Sequence, residues 1–209
     1  MISLNENDTI LFIGDSITDC GRNKELPEHL GFGYVNTVSA RLGCDLAELN
    51  LKFINRGISG NRVADLEDRW QEDCLDHKPD ILSIMIGLNN TWRRYDSNDI
   101  TTPEVFRETY RRLLESAREK LNCQIIILES FLLPYPEDRK AWREDLDPKI
   151  DITRELAREF ADAYVPLDGL FAAACCRCEP AHWAGDGVHP TMAGHTLIAD
   201  AWLSFSGLS

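Results

Sequence analysis

Ile10-Leu11-Phe12-Ile13-Gly14-Asp15-Ser16-Ile17-Thr18 decides the reading of the fold. The run opens with apolar, partly β-branched residues, the composition of a strand buried on both faces. It stops at a glycine, an acid and a hydroxyl. In an open α/β sheet, ligands bind in the crevice beyond the carboxyl ends of the strands. A serine placed there is held by a rigid element and faces that crevice. Far along the chain, Asp186-Gly187-Val188-His189 supplies an acid and an imidazole three residues apart. A hydroxyl, an imidazole and an acid are the parts of a hydrolytic site.

Outward from this strand, apolar runs alternate with helical patterns. Strands are expected over 9–14, 51–55, 81–86, 124–128 and 164–167. Helices are expected over 34–42, with Gly43 as the stop, over 63–74, from Pro103 to about Leu121, over 148–163 and over 192–205. In the third of these, Phe106, Tyr110, Leu113, Leu114, Ala117 and Leu121 share one face. Repeated strand–helix alternation means parallel strands joined by crossovers, with helices on both sides. The expected architecture is a three-layer α/β/α sandwich around a parallel sheet of about five strands. No repeat or long linker divides the chain, so residues 1–209 read as one domain. The longest irregular stretch, 131–149, is expected as a lid or wall of the site.

Composition narrows the partners. The chain has 209 residues, 44% apolar and 27% charged, with a formal charge of -13. That acidity argues against nucleic acid and anionic membranes, which need clustered Lys and Arg. The N-terminus has no basic and apolar leader pattern, so a cytoplasmic protein is expected. Seven cysteines, an odd number, fit free thiols. The cluster Cys175, Cys176 and Cys178 lacks the second ligand pair of a zinc site, so no metal is expected.

Four segments at strand ends carry chemistry: Gly14-Asp15-Ser16, Asn55 to Gly60, Gly87-Leu88-Asn89-Asn90, and Asp186 to His189. Each alone is an ordinary turn. Their joint placement at one edge of the expected sheet is what points to a site. In order and spacing they resemble the four blocks of the SGNH, or GDSL-type, hydrolases, from Ile10 to Trp202. The blocks match at Ser16, Gly60, Asn89 and His189. Longer strings, including Trp92-Arg93-Arg94-Tyr95-Asp96 and Val188-His189-Pro190-Thr191-Met192-Ala193-Gly194-His195, resemble intracellular acetyl-xylooligosaccharide esterases.

The resemblance implies a flavodoxin-like fold, with Ser16 as nucleophile, His189 as base and Asp186 as the acid that orients it. The chemistry requires the same roles, because a neutral serine is a poor nucleophile without an adjacent base. By resemblance, the backbone N–H groups of Ser16 and Gly60 and the amide of Asn89 form the oxyanion hole. Where the family block ends in an aspartate, this chain has Asn90. Asp15, Asn90, Trp92, Arg93 and Tyr95 are the candidate substrate contacts, aromatic faces and Arg being suited to a sugar. The expected substrate is a small ester, an O-acetyl group on a sugar such as a xylo-oligosaccharide, and no cofactor is needed. The alternatives are a lysophospholipase or thioesterase with Phe131, Leu132 and Leu133 lining an acyl channel, and a silent carbohydrate-binding scaffold. The resemblance is compatible with a homo-oligomer.

Overall fold

The computed structural model describes residues 1–208. Its strands are β1 (Thr9–Gly14), β2 (Lys52–Gly57), β3 (Ile81–Met85), β4 (Gln124–Leu128) and β5 (Ala163–Val165). They form one sheet in the order β2-β1-β3-β4-β5, and every pairing is parallel. The helices are α1 (Ser16–Asp19), α2 (Tyr34–Asp45), α3 (Val63–Asp68), α4 (Trp70–Asp73), α5 (Leu88–Asp96), α6 (Pro103–Lys120), α7 (Arg143–Phe160), α8 (Leu167–Cys175), α9 (Pro180–Trp183) and α10 (Met192–Ser206). The three-layer sandwich expected from the sequence is the fold observed. Among the described residues no helix is long and apolar enough to cross a membrane.

Strand alternation builds two cores. Ile10 and Phe12 of β1, Ile81 and Met85 of β3, and Ile126 and Leu128 of β4 face α2, α8 and α10. Leu11 and Ile13, Leu82 and Ile84, and Ile125 and Ile127 face α3, α6 and the later turns of α7. Both faces are buried, which is why these strands read as continuous apolar runs. Trp202 anchors α10: it is fully buried, and its Nε1 donates to Ser83 Oγ on β3 at 3.0 Å.

The differences from expectation have local causes. Gly43 stays inside α2 because the buried face of Tyr34, Val35, Val38 and Leu42 carries the helix past it. An exposed helical glycine costs only about 1 kcal/mol relative to alanine. The 63–74 helix is two, α3 and α4, broken at Arg69. That side chain turns inward to donate to Gly14 O, Arg56 O, Asn61 Oδ1 and Asp73 Oδ2. Helix α7 begins at Arg143, five residues before Pro148. Glu144 and Asp145 favour that N-terminus, and a 3-10 turn, Glu137–Trp142, leads into it. The sequence expectations include none of α1, α5, α8 and α9. The buried first turn of α5 is Leu88, Asn89, Asn90 and Thr91, which is mostly polar and shows no apolar periodicity.

Register then positions the site. Gly14 pairs with Gly57 on β2 and with Met85 on β3, so the three strands end level. The loops that follow carry Ser16, Gly60 and Asn89 to one edge. In this strand order the switch point lies between β1 and β3, where the crevice of a doubly wound sheet forms.

Candidate active site

Ser16 opens α1. Asp15 before it is the N-cap, its Oδ1 accepting from Ile17 N at 3.0 Å. A first helical position leaves its own N–H without an intrahelical acceptor, so the Ser16 amide is available beside its hydroxyl. Ser16 Oγ lies 2.9 Å from His189 Nε2, and His189 Nδ1 lies 2.7 Å from Asp186 Oδ2. The other Asp186 oxygen accepts from the amides of Val188 (2.9 Å) and His189 (2.7 Å). A carboxylate only accepts. It therefore holds the ring proton on Nδ1 and leaves the Nε2 lone pair facing the serine.

Partial burial works against ionisation of Asp186, but the ring and the two amides outweigh it and hold its carboxyl well below the usual range. The Asp186 hydrogen bond raises the His189 imidazole, against the opposing effect of burial. Beneath them Asp15 is 2% exposed, and burial pushes its carboxyl up to about 6.

The residues expected to donate to an oxyanion, Ser16, Gly60 and Asn89, line one crevice. It measures about 200 Å³ and is lined by Ser16, Ser59, Gly60, Asn89, Trp92, Arg93 and His189. Asn89 Nδ2 donates to Asn61 O at 3.1 Å, which fixes the amide and leaves its second N–H free for the crevice. Gly60 has φ +85°, a conformation that favours glycine. A Cβ there would meet nothing within 4 Å, so conformation rather than clearance selects the residue. Arg69 braces this wall through Asn61 and through the ends of β1 and β2. Asp19 braces it through the Ser59 amide at 3.1 Å and the Ser59 hydroxyl at 3.2 Å.

Of the expected substrate contacts, Trp92 and Arg93 line the crevice. Trp92 also packs: its ring lies 5.7 Å from that of His189 and 5.2 Å from that of Trp142. Asp15, Asn90 and Tyr95 do not line it. Asp15 is committed to its cap. Asn90 is buried, accepting from Val63 N and donating to Thr101 Oγ1. Tyr95 stacks on Trp142 at 5.2 Å and 11°, and its hydroxyl donates to Ala141 O. Leu132 and Leu133 line a separate cavity of about 370 Å³ that shares no lining residue with the crevice.

His195 is structural. Tyr34 N donates to its Nδ1, so the proton sits on Nε2, 3.2 Å from Cys20 Sγ. Burial pushes this imidazole down to about 4. Among the described residues no cluster of His, Cys, Asp or Glu could hold a metal.

The pattern of the GDSL-like lipase/acylhydrolase family matches residues 12–197. The chain belongs to that family. It is 36% identical to an acetylxylan esterase of Geobacillus stearothermophilus, over 97% of this chain and 95% of that one. Among solved structures, a candidate GDSL-like lipase from Parabacteroides merdae superposes with a TM-score of 0.94 at 38% identity, covering 100% of this chain and 99% of that one. An arginine-to-alanine mutant of the Geobacillus acetyl-xylooligosaccharide esterase gives 0.91 at 34%, covering 100% and 98%. This GDSL-family protein is a carboxylic ester hydrolase.

Ser59, Arg69 and Arg139 line or brace the site and were not singled out from the sequence. Ser59 and Arg69 act through backbone and carboxylate partners distant in sequence, and no local pattern marks such contacts. Arg139 lies in the stretch whose irregularity hid its course.

Proposed function

We propose that this protein removes acetyl groups from sugar hydroxyls, with xylo-oligosaccharides as the substrate class, through an acetyl-Ser16 intermediate. The observation that carries the reading is the continuous hydrogen-bonded chain from Ser16 through His189 to Asp186, opening on a small crevice. Ser16 Oγ attacks the acetyl carbonyl while His189 Nε2 takes its proton. The developing oxyanion accepts from the Ser16 and Gly60 amides and from Asn89 Nδ2. Collapse breaks the bond to the sugar oxygen, which takes the proton from His189 and leaves as the sugar hydroxyl. Water then attacks the acetyl carbonyl, His189 takes the water proton, and acetate leaves as Ser16 recovers its hydrogen. Asp186 holds the ring and stabilises the transient imidazolium.

Two further facts support this reading. The crevice of about 200 Å³ suits a short acyl group, and the apolar walls a long chain would need lie in the other cavity. Solved variants of the Geobacillus acetylxylan esterase described as catalytic mutants replace a serine, an aspartate and a histidine. The last two lie three positions apart in that protein, the spacing of Asp186 and His189 here.

The test measures acetate release from acetylated xylo-oligosaccharides beside hydrolysis of lysophospholipid, with a p-nitrophenyl ester series from acetate to octanoate. Acetate release should dominate, and rates should fall with chain length. Ser16→Ala should lose about 10⁴-fold or more in kcat. Rates that climb toward octanoate would overturn the acetyl reading.

A further inference from the structure

Arg139 makes contacts that the mechanism above does not use. It sits in the 3-10 turn before α7, and its side chain is 14% exposed. The guanidinium lies over two indoles, 4.0 Å from the ring centre of Trp142 and 5.2 Å from that of Trp92. Its Nε donates to the carbonyl of Asp186 at 3.2 Å, and Asp138 accepts from Nη1 at 2.6 Å. A second bond, Leu133 N to Gly187 O at 2.9 Å, ties the Asp186 turn to the 131–149 stretch that also carries Arg139. Gly187 has φ +83°, and a Cβ there would lie 1.9 Å from Tyr135 O, so the two stretches are in close backbone contact.

We propose that Arg139 is a positioning residue of this esterase, clamping the Asp186 turn and Trp92 so that His189 meets Ser16. The proposal rests on the triad reading above. Its geometry joins three things that must keep register: the acid's backbone, the aromatic wall beside the imidazole, and the segment packed outside both. A guanidinium can stack on two indoles and still donate in its own plane, which an ammonium cannot do.

The clamp also places a cation near His189. The charged and titratable groups around that ring are Asp186 on its own turn, Asp15 at the head of α1, Arg139, His195 on α10, and Arg93 on α5 in its pair with Asp96. Asp186 and Asp15 favour the imidazolium, and Arg139 opposes it. The base must be neutral to take the Ser16 proton. Removing the Arg139 charge should therefore move the acid limb of kcat/KM to higher pH.

The experiment compares wild type, Arg139→Gln, Arg139→Lys and Ser16→Ala on p-nitrophenyl acetate across pH, each at a temperature below its own unfolding transition. Arg139→Gln should lose about tenfold or more in kcat, since small misplacements of catalytic groups are costly. Its KM should stay within about twofold, and its acid limb should shift upward. Arg139→Lys should return the limb to its wild-type position while recovering only part of kcat. Wild-type kcat and an unmoved limb in Arg139→Gln would overturn the assignment. So would a rise in KM alone, which would make Arg139 a substrate contact. Should Ser16→Ala retain wild-type turnover, the triad reading itself falls. With Ser16→Ala at background, an unaffected Arg139→Gln refutes the clamp alone.

Discussion

The cavity between residues 131–134 and α8 holds about 370 Å³, nearly twice the roughly 200 Å³ of the Ser16 crevice. Its charged groups are already paired: Arg143 donates to both oxygens of Asp168, at 2.6 and 2.9 Å, and Lys140 donates to Glu137. The Ser16 crevice instead collects groups that are fixed in place yet retain capacity. These are the serine hydroxyl facing an imidazole lone pair, an Asn89 N–H, and amides at a helix start and a positive-φ turn. Reactive potential follows held but unsatisfied groups at the strand ends, not volume.

This contrast can be broken from either side. After Ser16→Ala itself, the largest expected effect is on the crevice side, in Asn89→Ala. Losing one oxyanion donor should lower kcat about 10²- to 10³-fold with little change in KM, measured on an acetyl ester. A drop of less than about threefold would remove Asn89 from the hole.

The second test contrasts His189 with His195, six residues further along. His189 is held up by Asp186, so its proton is bound more tightly folded than unfolded. The stability this adds is complete at low pH and fades as pH rises through the folded value. His195 has the opposite sign. Its folded value is about 4 against an ordinary 6.5, so stability falls as pH drops through that window. The loss reaches about 3 kcal/mol once both states are protonated. His195→Gln can still accept from Tyr34 N and carries no titrating group. Its melting temperature should fall less than that of wild type between pH 6.5 and 4. Equal losses in both proteins would show that His195 is not the acid-sensitive group.

The smallest effect belongs to the other cavity. Ala172→Trp should fill its mouth and leave kcat/KM on acetyl esters within about twofold, as surface changes away from a site generally do. A tenfold loss would mean that the substrate reaches this cavity, and would revive a longer acyl chain.

The sheet was legible in the sequence because burial on both faces writes strands as apolar runs, and Ser16, Gly60, Asn89 and His189 stood at their ends. What escaped notice depends on contacts distant in sequence. The polar first turn of α5 lacks periodicity because it is buried against polar partners, Val63 N and Thr101 among them. Pro148 suggested a helix start, yet α7 was already under way at Arg143. Asp15 and Asn90 sit beside matched residues, but Asp15 caps its own helix and Asn90 bonds Val63 N and the Thr101 hydroxyl, partners distant in sequence. Arg139 could not be foreseen, since its partners come from α5, the turn before α7, and the Asp186 turn.

The most direct measurement is rapid acid quenching during turnover of an acetyl ester, followed by peptide mass spectrometry. The expected result is one acetyl group on the peptide carrying Ser16, localised to that side chain and absent from Ser16→Ala. An acetyl group on another side chain, such as Cys20, or full turnover by Ser16→Ala, would contradict it.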